Sequence, residues 1–150
     1  MQKYSYLGYT YLSIPEPWKP IVSRFLRDVD KIIRPWYIPR IFLNIVNKLA
    51  TGGSVVRVRS RFWLHVLEYF THGVQISDIK DKYATLRIYG SFTDGIQRLA
   101  DSAEEECTRI CEKCGSNEDV DFYGEHWVYC YCGKCRDGAE IRGLSPVVTI

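Results

Sequence analysis

This 150-residue sequence predicts an α+β fold: a helical and mixed N-terminal part, a β-hairpin plus helix core, and a small cysteine-pinned β-unit near the C-terminus. Three observations carry the prediction. Apolar residues recur at helical spacing from Ile21 onward, as Val22, Phe25, Leu26, Val29, Ile32 and Ile33 do. Short alternating or apolar runs, broken by polar links, fill much of the stretch from 54 to 89. Two Cys-x2-Cys pairs then stand 17 residues apart.

The first 20 residues are rich in Tyr and contain Pro15, Pro17 and Pro20, which suits an extended segment packed by its rings. A helix follows from Pro20, a residue tolerated in a first turn, and Pro35 ends it. A second stripe, Ile41, Phe42, Ile45, Val46 and Leu49, follows Pro39 and closes before Gly52-Gly53. Both stripes are assigned to the core. From Ser54 to Ser60, Val56 and Val58 alternate with Arg57 and Arg59, the pattern of a half-buried strand, with Arg61 just beyond. Ser60 is placed to cap a short helix reaching about His72, where Gly73 supplies the stop. Its apolar side is Phe62, Trp63, Val66, Leu67 and Phe70. Val74 to Ile79 and Leu86 to Tyr89 read as a hairpin linked through Lys80-Asp81-Lys82.

A further helix begins near Thr93 or Asp94, turns Ile96, Leu99, Ala100, Ala103, Cys107 and Ile110 inward, and is expected to run straight into Cys111. The chain thus divides into a basic, Tyr/Pro-rich, helical region (1–59), a hairpin–helix core (60–106), and a terminal unit with its tail (107–150).

Composition narrows the function classes. Hydrophobic residues at 46% and charged residues at 25% describe an ordinary globule, and the 14% aromatic content suits both a small core and an interaction surface. No apolar run approaches the roughly 20 residues of a membrane span, and no secretory leader is evident. A cytoplasmic protein with no membrane partner is expected, in which a count of six cysteines points to metal ligation rather than to a disulfide framework. Charge is uneven: residues 1–67 hold 11 basic and 3 acidic side chains, residues 68–150 hold 9 and 15. The halves either neutralise each other in one fold or meet partners of opposite charge.

Cys111 and Cys114 form the first pair, Cys132 and Cys135 the second, with Gly115 after one and Gly133 inside the other. Two such turns direct four thiolates at one point, and the stretches Val120–Tyr123 and Trp127–Tyr131 can pair across Gly124 between them. This is the layout of a zinc ribbon. Zinc is the expected ion, with iron the competitor, and four thiolates close the shell as in a structural site. Cys107 and Cys130 are expected to be buried as small apolar residues, and Cys130 to face away from Cys132. A six-thiolate, two-zinc cluster and competition of Cys130 or Cys107 for the four-ligand site are the alternatives. His126 is taken as a surface imidazole.

The run from Val74 through Lys80-Asp81-Lys82-Tyr83-Ala84-Thr85-Leu86-Arg87-Ile88-Tyr89, then an acidic helix, then Cys111-Glu112-Lys113-Cys114-Gly115 and Trp127 ahead of Cys132, resembles a family of small, mostly uncharacterised phage and prophage zinc-ribbon proteins. The likeness covers about residues 60–136 and departs at Ala84, Ile88 and Cys135, where that family often has Gly, Phe and His. It implies a mobile-element origin in a bacterial host and a zinc-stabilised fold, without an activity.

No catalytic constellation stands out. His65, Glu68 and His72 share a helix, but the two histidines lie two turns apart, too far for one metal. The leading expectation is a non-enzymatic, phage-type accessory protein that binds and modulates a host protein or defence complex, with inhibition the expected effect and Glu104, Glu105 and Glu106 offering an acidic face. The alternative is a nucleic-acid-binding protein using Arg57, Arg59 and Arg61, with Lys48 and Trp63 beside them.

Overall fold

The computed structural model describes residues 7, 14–34, 37–52, 59–124 and 127–138. The expected Tyr-rich segment before residue 14, most of the strand at 54–60 with Arg57, His126 and the tail beyond 138 lie outside them. The elements, in order, are a 3₁₀ turn Glu16–Trp18, α1 Lys19–Ile33, α2 Arg40–Thr51, α3 Arg61–Thr71, β1 Gln75–Lys82, β2 Thr85–Ser91, α4 Asp94–Cys107, β3 Val120–Tyr123, β4 Tyr129–Cys132 and α5 Gly133–Asp137. Four principal helices and two antiparallel two-stranded sheets, β1–β2 and β3–β4, make a mixed α+β fold.

The α1 stripe is buried as expected, except that Ile32 is exposed. At its end Asp30 is fully buried and accepts from Arg34 Nε at 2.9 Å and Arg40 Nε at 2.8 Å, so one carboxylate ties α1 to the start of α2. In α2 the expectation fails in part. Leu43, Asn44, Val46 and Ala50 are buried, whereas Ile41, Phe42, Ile45 and Leu49 stand exposed. The apolar arc of this helix is wider than its contact with the protein, so most of the stripe assigned to the core faces outward. The ring of Phe42 meets that of Phe70 on α3 edge-on, with centroids 6.0 Å apart.

Ser60 precedes α3 with extended backbone but makes no side-chain cap bond; the helix closes through His72 at φ 51° and Gly73 at φ 72°. The hairpin is longer than the sequence suggests. Lys80, Asp81 and Lys82 remain in β1, paired with Arg87, Leu86 and Thr85, and the turn itself is Tyr83-Ala84. Both turn residues have positive φ, 54° and 57°, as a two-residue hairpin loop of this hand requires. Helix α4 ends at Cys107 instead of reaching Cys111. Thr108, Arg109 and Ile110 bond back to Glu105, Glu106 and Cys107 carbonyls in tight i→i−3 turns.

A single apolar core joins Trp18 and the α1 stripe, Leu43 and Val46 of α2, Leu67 of α3, the inward residues of the hairpin, the α4 stripe and Cys130 of the C-terminal unit. Trp18 is fully buried, and its indole N–H donates to the carbonyl of Ile110 at 3.2 Å. That bond fastens the N-terminal layer to the backbone directly ahead of Cys111.

Candidate metal centre

The first cysteine pair sits in a closed loop. Cys111 N–H donates to Ser116 O at 2.8 Å, and Gly115 N–H donates to Cys111 O at 2.9 Å. Together these bonds curl the chain so that Cys111 and Cys114 turn to one side. Gly115, at φ 79°, takes the left-handed backbone that the loop needs and that a side chain would resist. The second pair is presented by a strand-to-helix junction: Cys132 ends β4, and Cys135 lies within α5. Gly133 N–H donates to Asp119 O at 3.0 Å, and Glu112 N–H to Cys130 O at 2.9 Å, so the second pair is bonded to the residue ahead of β3 and the first pair to β4. β3 and β4 pair from Val120↔Cys132 to Tyr123↔Tyr129. Their connection passes Gly124 at φ 117°, where a Cβ would lie 1.9 Å from the Trp127 carbonyl oxygen.

The four Sγ atoms of Cys111, Cys114, Cys132 and Cys135 all lie within 4.8 Å of one another, and no disulfide joins them. Cys114 and Cys132 Sγ are 3.6 Å apart, whereas a disulfide would need about 2.05 Å. A tetrahedral ion about 2.3 Å from each sulfur sets the sulfurs about 3.8 Å apart, close to this separation. The residues therefore fit a thiolate-bound metal ion. Cys111 and Cys132 are buried, Cys135 is half-buried and Cys114 reaches the surface.

Two of the cage thiols are shifted in opposite directions. Burial pushes the Cys111 thiol up, but hydrogen bonds from the Cys132, Cys114 and Lys113 backbone together outweigh it and bring the group down to about 7. Cys135 is pushed up to about 12, chiefly because its thiol shares a proton with Cys114. A metal ion takes the place of such shared protons. Beside the cage, burial and then the charge of Asp81 raise the Glu112 carboxyl to about 7, and its Oε2 is buried without a hydrogen-bond partner.

Cys107 and Cys130 are fully buried, and burial raises both thiols to about 12. The expectation that Cys130 faces away from Cys132 is wrong: residues two apart on a strand share a face, and both are buried. What separates them is their partners. Cys130 Sγ donates to the Thr108 and Ile110 carbonyls at 3.5 and 3.6 Å, outside the cage. The four-cysteine cage is the one group of three or more metal-ligating side chains brought together among the described residues, so His65, Glu68 and His72 form none. His65 Nδ1 meets Glu68 Oε2 at 3.2 Å on the exposed side of α3, while His72 lies past the helix end.

The three consecutive glutamates are held by the chain itself. Glu104 accepts the Ile88 N–H at 2.7 Å and Arg87 Nη1 at 3.1 Å, Glu105 pairs with Arg109, and Glu106 with Arg24. Lys48, Arg59 and Arg61 are exposed where α2 meets α3, with Arg59 N–H donating to Ala50 O at 2.6 Å; Trp63 is half-buried against the core. Sequence reasoning had no signal for Trp18, Ser116 and Asp119, whose roles come from backbone bonds made across the fold. Set against family models, curated proteins and solved structures, the chain matches none.

Proposed function

We propose that this chain is a non-enzymatic accessory protein, stapled by one structural zinc ion, that docks on a protein or protein complex of a bacterial host and inhibits it. The observation that carries the zinc assignment is the cage of four thiols within 4.8 Å of one another. An all-thiolate set favours zinc, and four protein ligands leave no open position for a substrate or water. The phage-type origin and the host target rest on the sequence resemblance. Large side chains at the surface, Trp127 and Tyr83 among them, support docking, since aromatic residues are enriched in protein interfaces.

Elemental and native mass analysis of the purified chain should give one zinc per molecule. Cys132→Ser should lose it and Cys107→Ala should keep it; equal zinc in both would end the assignment. Affinity capture from bacterial lysate, with the cage variant as control, tests the docking reading, and recovery of no specific protein would count against it. The nucleic-acid reading is favoured by the exposed Lys48, Arg59 and Arg61 at one end of α2–α3. It requires a salt-dependent shift of labelled DNA or RNA that is lost when these cations are replaced.

A further inference from the structure

The exposed side of the α2–α3 pair differs from an ordinary solvated helix face. The residues of the two helices that stand exposed are Ile41, Phe42, Ile45, Lys48 and Leu49 on α2, and Arg61, Phe62, His65 and Tyr69 on α3. Six of these nine are apolar or aromatic, three are basic, and none is acidic. Exposure is large: 64% for Ile41, 50% for Ile45, 67% for Phe62 and 76% for Tyr69. The Phe42–Phe70 contact joins the two strips into one surface.

We propose that this surface seats the protein on an anionic lipid bilayer, with the apolar side chains entering the headgroup–acyl boundary and Lys48, Arg59 and Arg61 meeting lipid phosphates. Charge decides among the occupants. A second copy would set Lys48, Arg59 and Arg61 against the same cations, with the Glu68 carboxylate on this side of α3 already engaged by His65, and a nucleic acid has no use for Ile41, Ile45 and Leu49. Aliphatic and aromatic side chains flanked by Lys and Arg are the chemistry of a helix lying in a bilayer interface. No helix of the described residues is long and apolar enough to cross a membrane, so the attachment is peripheral. The inference departs from the sequence expectation of no membrane partner, which rested on the lack of a span-length apolar run; it comes from the α2 stripe, expected in the core and found exposed. It is independent of the host-protein reading and stands if that reading fails.

The test is co-sedimentation of the zinc-loaded chain with vesicles of phosphatidylcholine alone and of phosphatidylcholine mixed with phosphatidylglycerol, at low and high salt. Binding to the anionic vesicles, weakened by salt, is expected. The double variant Ile45→Asp, Leu49→Asp should weaken it more than tenfold with unchanged circular dichroism, and Lys48→Glu and Arg61→Glu should each weaken it about fivefold or more. If the aspartate variant fails to fold, Ile45→Gln, Leu49→Gln asks the same question without new charge. No vesicle binding, or binding that these variants leave unchanged, overturns the proposal. So does a dimer, seen by sedimentation equilibrium, that the α2 variants disperse while vesicle binding is absent.

Discussion

Glu104, Glu105 and Glu106 are chemically identical neighbours with different surroundings. The Glu104 carboxylate closes the backbone of β2 by accepting the Ile88 N–H, and it also meets Arg87; Glu105 has only an exposed pairing with Arg109. A hydrogen bond to a charged acceptor contributes more than a solvated ion pair. Glu104→Ala should therefore destabilise the fold by about 1–3 kcal/mol in urea unfolding, and Glu105→Ala by less than about 0.5 kcal/mol. The four cysteines of the cage were legible in the sequence because their spacing is what brings them together. The glutamates were not, since adjacency along a helix cannot say which carboxylate reaches a strand 16 residues away. Strand periodicity alone places Cys130 on the face of Cys132, contrary to the expectation that it turns away.

Among the elements, α1 to α4 and both hairpins were visible in the sequence pattern, while α5, too short for a periodicity, was not, and ends and exposures were set by packing. The α2 stripe shows why: an apolar arc tells how much of a helix prefers to leave water, and tertiary contacts decide which part does. Helix α4 likewise stops at Cys107, short of Cys111, because Thr108 to Ile110 tighten into turns that lead the chain to the cage. The β1–β2 turn carries a local conflict between residue type and backbone. Tyr83 and Ala84 both occupy the left-handed region, which costs an L-residue about 1–2 kcal/mol. Tyr83 is 69% exposed, so little packing opposes its replacement. Tyr83→Asn should raise stability by about 0.5–1 kcal/mol in chemical denaturation, whereas Tyr83→Val, β-branched at positive φ, should lower it.

At the scale of the whole molecule, the C-terminal unit is not an appendage. Cys130 belongs to the common core, and Trp18 bonds to Ile110 across 92 positions of sequence. Removing the ion should therefore loosen more than the ribbon. A strong chelator is expected to lower the midpoint of a single thermal transition by about 10 °C or more, followed by far-ultraviolet circular dichroism. Two separate transitions, with the helical one unmoved, would show that the two ends fold apart. The buried Asp30 carries comparable weight at the other end. Replacing both Arg34 and Arg40 by Ala removes two cationic partners of this buried carboxylate and should cost about 3–5 kcal/mol, measured as a shift of the urea midpoint.

The Trp18–Ile110 contact also equips the protein with an optical gauge. An indole sealed from water emits toward the blue, and this one is wired to the strip of backbone that leads into the cage. With the other three tryptophans replaced by Phe, a change in this ring's emission on adding or chelating zinc would report the filling of a cage that the ring does not itself touch.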